Sequence, residues 1–323
     1  MTFNRRGLGA ATLALTAARA ASAQEVYPNR SVTVVAPFAA GGSTDFVARL
    51  ISQNLSNALG QQFVVDNRTG ASGTIGSNTV ARARADGYTL LCSPNSTFAM
   101  APHLYQLPYD NDTAFAPISL LATNAMAVCV PTNSPWRTLA DLINAAKAAP
   151  GRISFGSGGV GVSNHLAVEL FAVGVGIELQ HVPYRGGAPA AQAVLTGEIN
   201  LSFVDTVTAI PFVRDGQMRA LAVTSSERSA QLQGVPTIAE SGLPGFRAST
   251  DFALFAPAGT PDAVLRRLGE VCVSSMRTQE VRDRLAPLAI DPIGGTPAEF
   301  ATYFRAESDK WRDIIRARNV QVQ

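Results

Sequence analysis

Twice in this chain an apolar, strand-like run meets a glycine- and hydroxyl-rich loop that leads straight into a helix. Ser31 to Ala36 runs into Pro37-Phe38-Ala39-Ala40-Gly41-Gly42-Ser43-Thr44, with a helix expected from about Asp45. Ile153-Ser154-Phe155 runs into Gly156-Ser157-Gly158-Gly159-Val160-Gly161-Val162-Ser163, with a helix expected from about Asn164. Each loop aims free backbone N–H groups and hydroxyls along a helix axis at its N-terminus. Unpaired donors there, with the positive end of the helix dipole, hold an anion without any charged side chain. Two such mouths predict a small carboxylate gripped from both sides.

The first residues read as an export signal and are set aside from the fold. Arg5-Arg6 is the basic region, Gly7 to Ala18 the apolar run and Ala21-Ser22-Ala23 the cleavage site, with the cut expected after Ala23. The Arg pair is compatible with twin-arginine as well as general export. No later stretch approaches the ~18 apolar residues of a membrane span. The expectation is therefore an exported protein, periplasmic in a Gram-negative cell. Three of the 26 Lys and Arg fall inside that signal and none of the 24 Asp and Glu, so the balance beyond it is −1. A near-neutral chain without basic clusters gives no footprint for nucleic acid or anionic membrane. The three cysteines, Cys92, Cys129 and Cys272, read as small buried hydrophobes, with one disulfide among the three possible pairs as the alternative.

About 300 residues remain, more than one compact core usually spans, so two lobes are expected. Strand-like and helical stretches alternate, which predicts an α/β fold with largely parallel sheets. Phe115 to Val130 is almost continuously apolar and long enough to pass from one lobe to the other. Arg219 to Thr224 is a plausible return crossing. The lobes are expected at residues 24–122 and 226–323 for the first and 123–225 for the second. Thr138-Leu139-Ala140-Asp141 and Thr296-Pro297-Ala298-Glu299 are helix starts of capping-box type. The last hundred residues read as helices and loops. Phe300, Tyr303, Phe304, Trp311, Ile314 and Ile315 form an apolar stripe expected to pack on the first lobe's sheet.

Catalytic signatures are missing. His103, His165 and His181 have no metal-ligand spacing, and no Gly-x-Ser-x-Gly elbow, Walker loop or calcium loop is present. Gly156-Ser157-Gly158-Gly159-Val160-Gly161 matches a dinucleotide fingerprint, but Glu178 starts the next strand instead of ending it, and an exported protein has no dinucleotide supply. An exported hydrolase using Ser157 or Ser163 is the competing reading, although no histidine is clearly placed to serve Ser157. No cofactor and no metal are expected.

The residues of the first loop and beyond resemble a known signature. Tyr27-Pro28, then Pro37-Phe38-x-x-Gly41-Gly42-x-x-Asp45, is similar to the Bug-type solute receptors of the tripartite tricarboxylate transporter family. The likeness continues through Asn67-Arg68-x-Gly70-Ala71-x-Gly73, Asp86-Gly87-Tyr88-Thr89-Leu90 and Leu107-Pro108-Tyr109. It runs on through His165-Leu166-x-x-Glu169-Leu170-Phe171, His181-Val182-Pro183-Tyr184-Arg185-Gly186, Pro236-Thr237-x-x-Glu240-x-Gly242-Leu243-Pro244-Gly245-Phe246 and Phe255-Ala256-Pro257-Ala258-Gly259-Thr260-Pro261. The resemblance implies a two-lobe, periplasmic-binding-protein-like (type II) α/β fold, mostly parallel in each lobe, closing on a small organic acid. It implies a monomeric receptor that works with integral-membrane permease subunits or with a sensor kinase. It points to Phe38, Ala39, Gly41, Gly42, Ser43 and Thr44 on one side of the ligand and to Ser157, Gly158, Gly161, Val162 and Ser163 on the other.

Several polar residues carry two readings. Asp45 is expected to cap its own helix and His165 to pack as a neutral imidazole. Ser96 and Thr97 end a strand on the expected cleft side. Arg185 either pairs with a carboxylate or is a solvated surface residue. Asp205 falls one position later than in many relatives of this kind. Facing the cleft, it favours a ligand that also carries an ammonium group; capping the turn after its strand, the preferred reading, it says nothing about ligand.

Overall fold

The computed structural model describes residues 27–322; the expected export signal lies outside them. Ten strands form one mixed sheet: β1 (Val32–Ala36), β2 (Phe63–Asn67), β3 (Thr89–Pro94), β4 (Phe115–Pro131), β5 (Ser154–Ser157), β6 (Gln180–Pro183), β7 (Leu201–Asp205), β8 (Met218–Val223), β9 (Ser249–Pro257) and β10 (Ile290–Pro292). Their order is β2-β1-β3-β9-β4-β7-β5-β6, with β8 and β10 also paired to β4. The outer strands of each half are parallel: β1 with β2 and β3, β5 with β6 and β7. Right-handed strand–helix–strand crossovers explain this part. β4 and β9 run antiparallel to their neighbours and make the centre mixed.

The 17 residues of β4 join the two halves. Phe115 to Ala125 pairs with β9, and Met126 to Cys129 pairs with β7. The register slips near Ser119, Leu121 and Val128. Such bulges bend and twist a strand, which lets one strand serve both halves of the sheet. Helices cover both faces, giving the two-lobe α/β architecture.

Two features depart from the sequence expectations. β8 does not cross back; it pairs only with the second-half end of β4. The chain returns through the segment 224–248 and then β9, which lies at the sheet centre between β3 and β4. All nine residues of β9 are buried, so it has no alternating pattern to announce it. The C-terminal helix Pro297–Ala317 does bury its apolar stripe, but not on one lobe alone. Phe300, Trp311 and Ile315 share a core with Phe98 and Phe255 from one half and Leu166, Phe171 and Phe203 from the other. All three cysteines are buried and unpaired.

Candidate functional site

The two glycine-rich loops meet across a cleft of about 310 Å³. Phe38, Gly41, Gly42, Ser43 and Thr44 line it from the first half, and Gly158, Val162 and Ser163 from the second. Gly42 and Val162 are the N-caps of helices Ser43–Leu59 and Ser163–Val175; both are extended, and neither end receives a side-chain cap. The first-turn N–H groups of a helix have no intrahelical acceptor, so both ends offer donors to the cleft.

The sequence had suggested that Asp45 caps its own helix. The structure corrects this: the carboxylate holds the preceding loop. Its Oδ2 accepts from the Gly41 N–H at 3.0 Å and from Arg49 Nε at 2.9 Å, and its Oδ1 accepts from Asn67 Nδ2 at 3.0 Å. Burial works to raise this carboxyl, but those hydrogen bonds and the Arg49 charge outweigh it and hold the group below the usual carboxylate range. The acid is thus neutralised behind the loop, and it leaves the helix end bare.

Two more helix N-termini open into the same cleft, and sequence reasoning missed them. Gly186, Gly187 and Ala188 begin helix Gly187–Thr196; Asp205, Val207 and Thr208 begin helix Thr206–Arg214. Neither carries a side-chain cap. The Gly186-Gly187 pair was a usable signal. At Thr206 there was none, because the helix follows β7 with no intervening loop. Gly158 draws the third terminus in: its carbonyl accepts from Gly186 N–H at 3.1 Å. A Cβ at Gly158 would lie 3.0 Å from the Gly187 nitrogen, so a side chain there would push the Gly186–Gly187 backbone back by a few tenths of an ångström.

Ser96 lies on the wall, as do Pro94, Asn164 and Thr250. The Ser163 hydroxyl reaches across to Asn95 Oδ1 at 3.0 Å, and Asn95 Nδ2 donates to Asp251 at 3.0 Å. Three residues named from the sequence fall off the wall. Ala39 is exposed outside the cleft. Gly161 is buried behind its loop with φ +77°, where a Cβ would fall 2.2 Å from Leu104. Ser157 is fully buried. Thr97 is also turned away, donating to the Ser72 carbonyl at 2.8 Å. Arg185 is exposed and absent from the wall, while Tyr184 donates to Glu198 at 2.8 Å.

A histidine does stand beside Ser157, contrary to expectation: His181 Nε2 is 2.6 Å from Oγ. Ser157 also donates to the Gly159 carbonyl at 2.9 Å. The Gly159 N–H donates to the same oxygen at 3.2 Å, and which of serine and imidazole donates in the Ser157–His181 contact depends on the histidine tautomer. Burial, with His165 alongside, holds His181 down to about 3. The pair braces the loop from within. His165 packs as expected: its ring stacks on His181 at 3.9 Å, and its Nδ1 accepts from the Gly161 N–H at 3.0 Å.

Asp205 is the single ionisable side chain on the cleft wall among the described residues. The preferred reading, a turn cap, is overturned: it occupies the N-cap position but makes no side-chain cap bond. Its Oδ1 accepts from Thr250 Oγ1 at 3.3 Å. Burial pushes this carboxyl up to about 6, with the Thr250 hydrogen bond working in the opposite direction. No Lys, Arg or His among the described residues lines the cleft. Among the described residues no group of three or more His, Cys, Asp or Glu is placed to hold a metal, and no helix is long and apolar enough to cross a membrane. A larger cavity of about 840 Å³ lies between the segment 102–117 and the C-terminal helix, and neither loop reaches it.

Solved structures with this architecture are similar in sequence as well. The R. palustris Rpa4515 structure with adipate superposes with a TM-score of 0.84 at 34% identity, covering 91% of this chain and 99% of that one. MatC from Rhodopseudomonas palustris, solved with bound malate, gives 0.79 at 32% identity, covering 90% and 100%. The periplasmic binding protein BugD gives 0.80 at 32% identity, covering 92% and 100%. The fold is that of the two-lobe periplasmic binding proteins. Among sequence relatives, a Pseudomonas sp. (strain P51) protein described as the UPF0065 protein in the tcbD-tcbE intergenic region is 40% identical over 316 residues, 96% of this chain and 93% of its own. BugT of Bordetella pertussis is 33% identical over 294 residues, 90% of each chain. The model of the tripartite tricarboxylate transporter family receptor matches residues 47–320, and the chain belongs to that family.

Proposed function

We propose that this chain is a periplasmic solute receptor that captures a small carboxylate, leaves it chemically unchanged, and delivers it to the permease subunits of a tripartite transporter or to a sensor kinase. The observation that carries this reading is the convergence of four uncapped helix N-termini on one cleft without a basic side chain. Each contributes backbone donors and the positive end of a helix dipole. Phe38, Gly41, Gly42, Ser43, Thr44, Ser96, Gly158, Val162, Ser163 and Asp205 are the ligand-facing set in this proposal. Ala39, Gly161 and Ser157 support the loops from outside or behind.

The lobe boundaries belong to the same proposal. The switch of β4 from β9 to β7 between Ala125 and Met126 supports a crossing near residue 123, and the path from β8 to β9 supports a return after residue 225. Adipate and malate in the related structures support the ligand class. A thermal-shift screen of mono-, di- and tricarboxylates tests it, because a ligand that binds only the folded form raises the melting temperature by mass action. At least one acid is expected to raise it in a concentration-dependent way. No shift across the panel would count decisively against carboxylate capture.

A further inference from the structure

We infer that the ligand carries an ammonium group beside its carboxylate, and that Asp205 selects for it. This rests on the carboxylate-capture reading and narrows it to amino acids. The cleft offers two unlike halves of an electrostatic site. Four bare helix N-termini supply partial positive charge, and one carboxyl supplies the only formal charge on the wall among the described residues.

Among the described residues that carboxyl forms no ion pair, and its position at the start of helix Thr206–Arg214 is not exploited for capping. Its one hydrogen bond is from Thr250 Oγ1 at 3.3 Å. Asp205 is half-buried on the cleft wall, and a carboxylate partly withdrawn from water is costly unless something pairs with it. In a cleft of about 310 Å³ there is little room to keep a ligand's carboxylate far from Asp205. A purely anionic ligand therefore meets like-charge repulsion, whereas a zwitterion places opposite charges against both halves. The elevated carboxyl of the empty cleft fits this account, because burial without a cation favours the protonated form. The Thr250 hydroxyl oxygen and the Asp205 carboxylate together give an ammonium two acceptors, one from β9 and one from β7, the strands that flank β4.

The test uses matched pairs that differ by the ammonium group alone: aspartate and succinate, glutamate and glutarate, phenylalanine and 3-phenylpropionate. Affinities for the full, ligand-stripped chain are measured by calorimetry at neutral pH. In at least one pair the amino acid is expected to bind about 30-fold more tightly than its ammonium-free partner, the scale of one desolvated charge pair. Asp205→Asn is expected to erase that preference and to strengthen the ammonium-free acid, since the repulsion is gone. Equal or tighter wild-type binding of the ammonium-free acids in every pair that binds would overturn the inference while leaving carboxylate capture intact. That arm needs no variant, so it decides the matter even if Asp205→Asn fails to fold. Absence of binding by all six probes would overturn this inference, and together with a silent carboxylate screen would remove the reading beneath it.

Discussion

Three helices that start away from the cleft differ in their first turn from the four that start at it, while Thr74–Ala81 and Asp262–Met276, also away from it, share the missing side-chain cap. Leu139–Ala148, Gln279–Leu285 and Pro297–Ala317 each begin behind a threonine whose hydroxyl accepts from the third helical N–H, and two of them add the reciprocal acid. Ser43–Leu59, Ser163–Val175, Gly187–Thr196 and Thr206–Arg214 have no side-chain cap at all. A cap contributes about 1 kcal/mol, so the cleft helices go without that stabilisation and leave their first-turn donors open to the cleft. They are anchored further back instead. Asp45 ties the first loop through Gly41, Arg49 and Asn67, and Glu169 of the second helix meets Arg318 Nε at 2.5 Å.

The sharpest way to break this contrast is to put a second acid at the mouth of a cleft helix, ahead of the Asp45 that faces back to the loop. Ser43→Asp places a carboxylate in the first turn, where it suits the dipole but occupies the anion site. Carboxylate affinity should fall about 100-fold, or about 2.7 kcal/mol, with no loss of melting temperature. Calorimetry and a melting curve on the same sample check both halves.

The rear anchor should matter for folding. Burial works to raise the Glu169 carboxyl, but the His165 and Arg318 side chains outweigh it and hold the group below its ordinary value. A depressed carboxyl contributes stability that is present above its ordinary value of 4.5 and is lost as pH falls through the folded one. Glu169→Gln should therefore destabilise by about 2 kcal/mol at pH 7. That deficit should shrink toward zero in acid, as followed by chemical denaturation at a series of pH values.

Asp205 has the opposite sign. Its folded value, raised to about 6, means that the empty protein loses stability as pH rises from the unfolded value of about 3.8 through that range. Asp205→Asn should thus melt a few degrees higher than wild type above pH 7 and equally at pH 3.5. The smallest effect is expected away from the cleft. Thr296→Ala removes a cap and should cost about 1 kcal/mol without changing ligand affinity, which separates stabilising caps from binding termini.

The sequence displayed one half of this design plainly. Glycines at 41, 42, 158 and 161 followed by hydroxyls mark a strand-to-helix turn whatever the tertiary context, and Phe115 to Val130 could only be a long buried strand. The other half was hidden for identifiable reasons. Helix Thr206–Arg214 follows β7 without a loop, so no composition signal preceded it. β9 is buried on both faces and reads as neither alternating strand nor helix. His181 and Ser157 lie 24 residues apart and become neighbours only because β5 and β6 pair in parallel register. The direction of Asp205 depended on whether its carboxyl turned back onto its helix or outward, which local sequence does not determine.

The central claim is that backbone donors at facing helix ends, not basic side chains, hold the ligand. Backbone amide NMR of the labelled protein, titrated with the acid that gives the largest thermal shift, tests it most directly. The account predicts concerted movement of the Ser43, Thr44, Ser163, Asn164 and Gly187 amides at the same ligand concentration. Movement confined to the larger cavity around Tyr105, Tyr109 and Arg305, with those five amides unchanged, would contradict it.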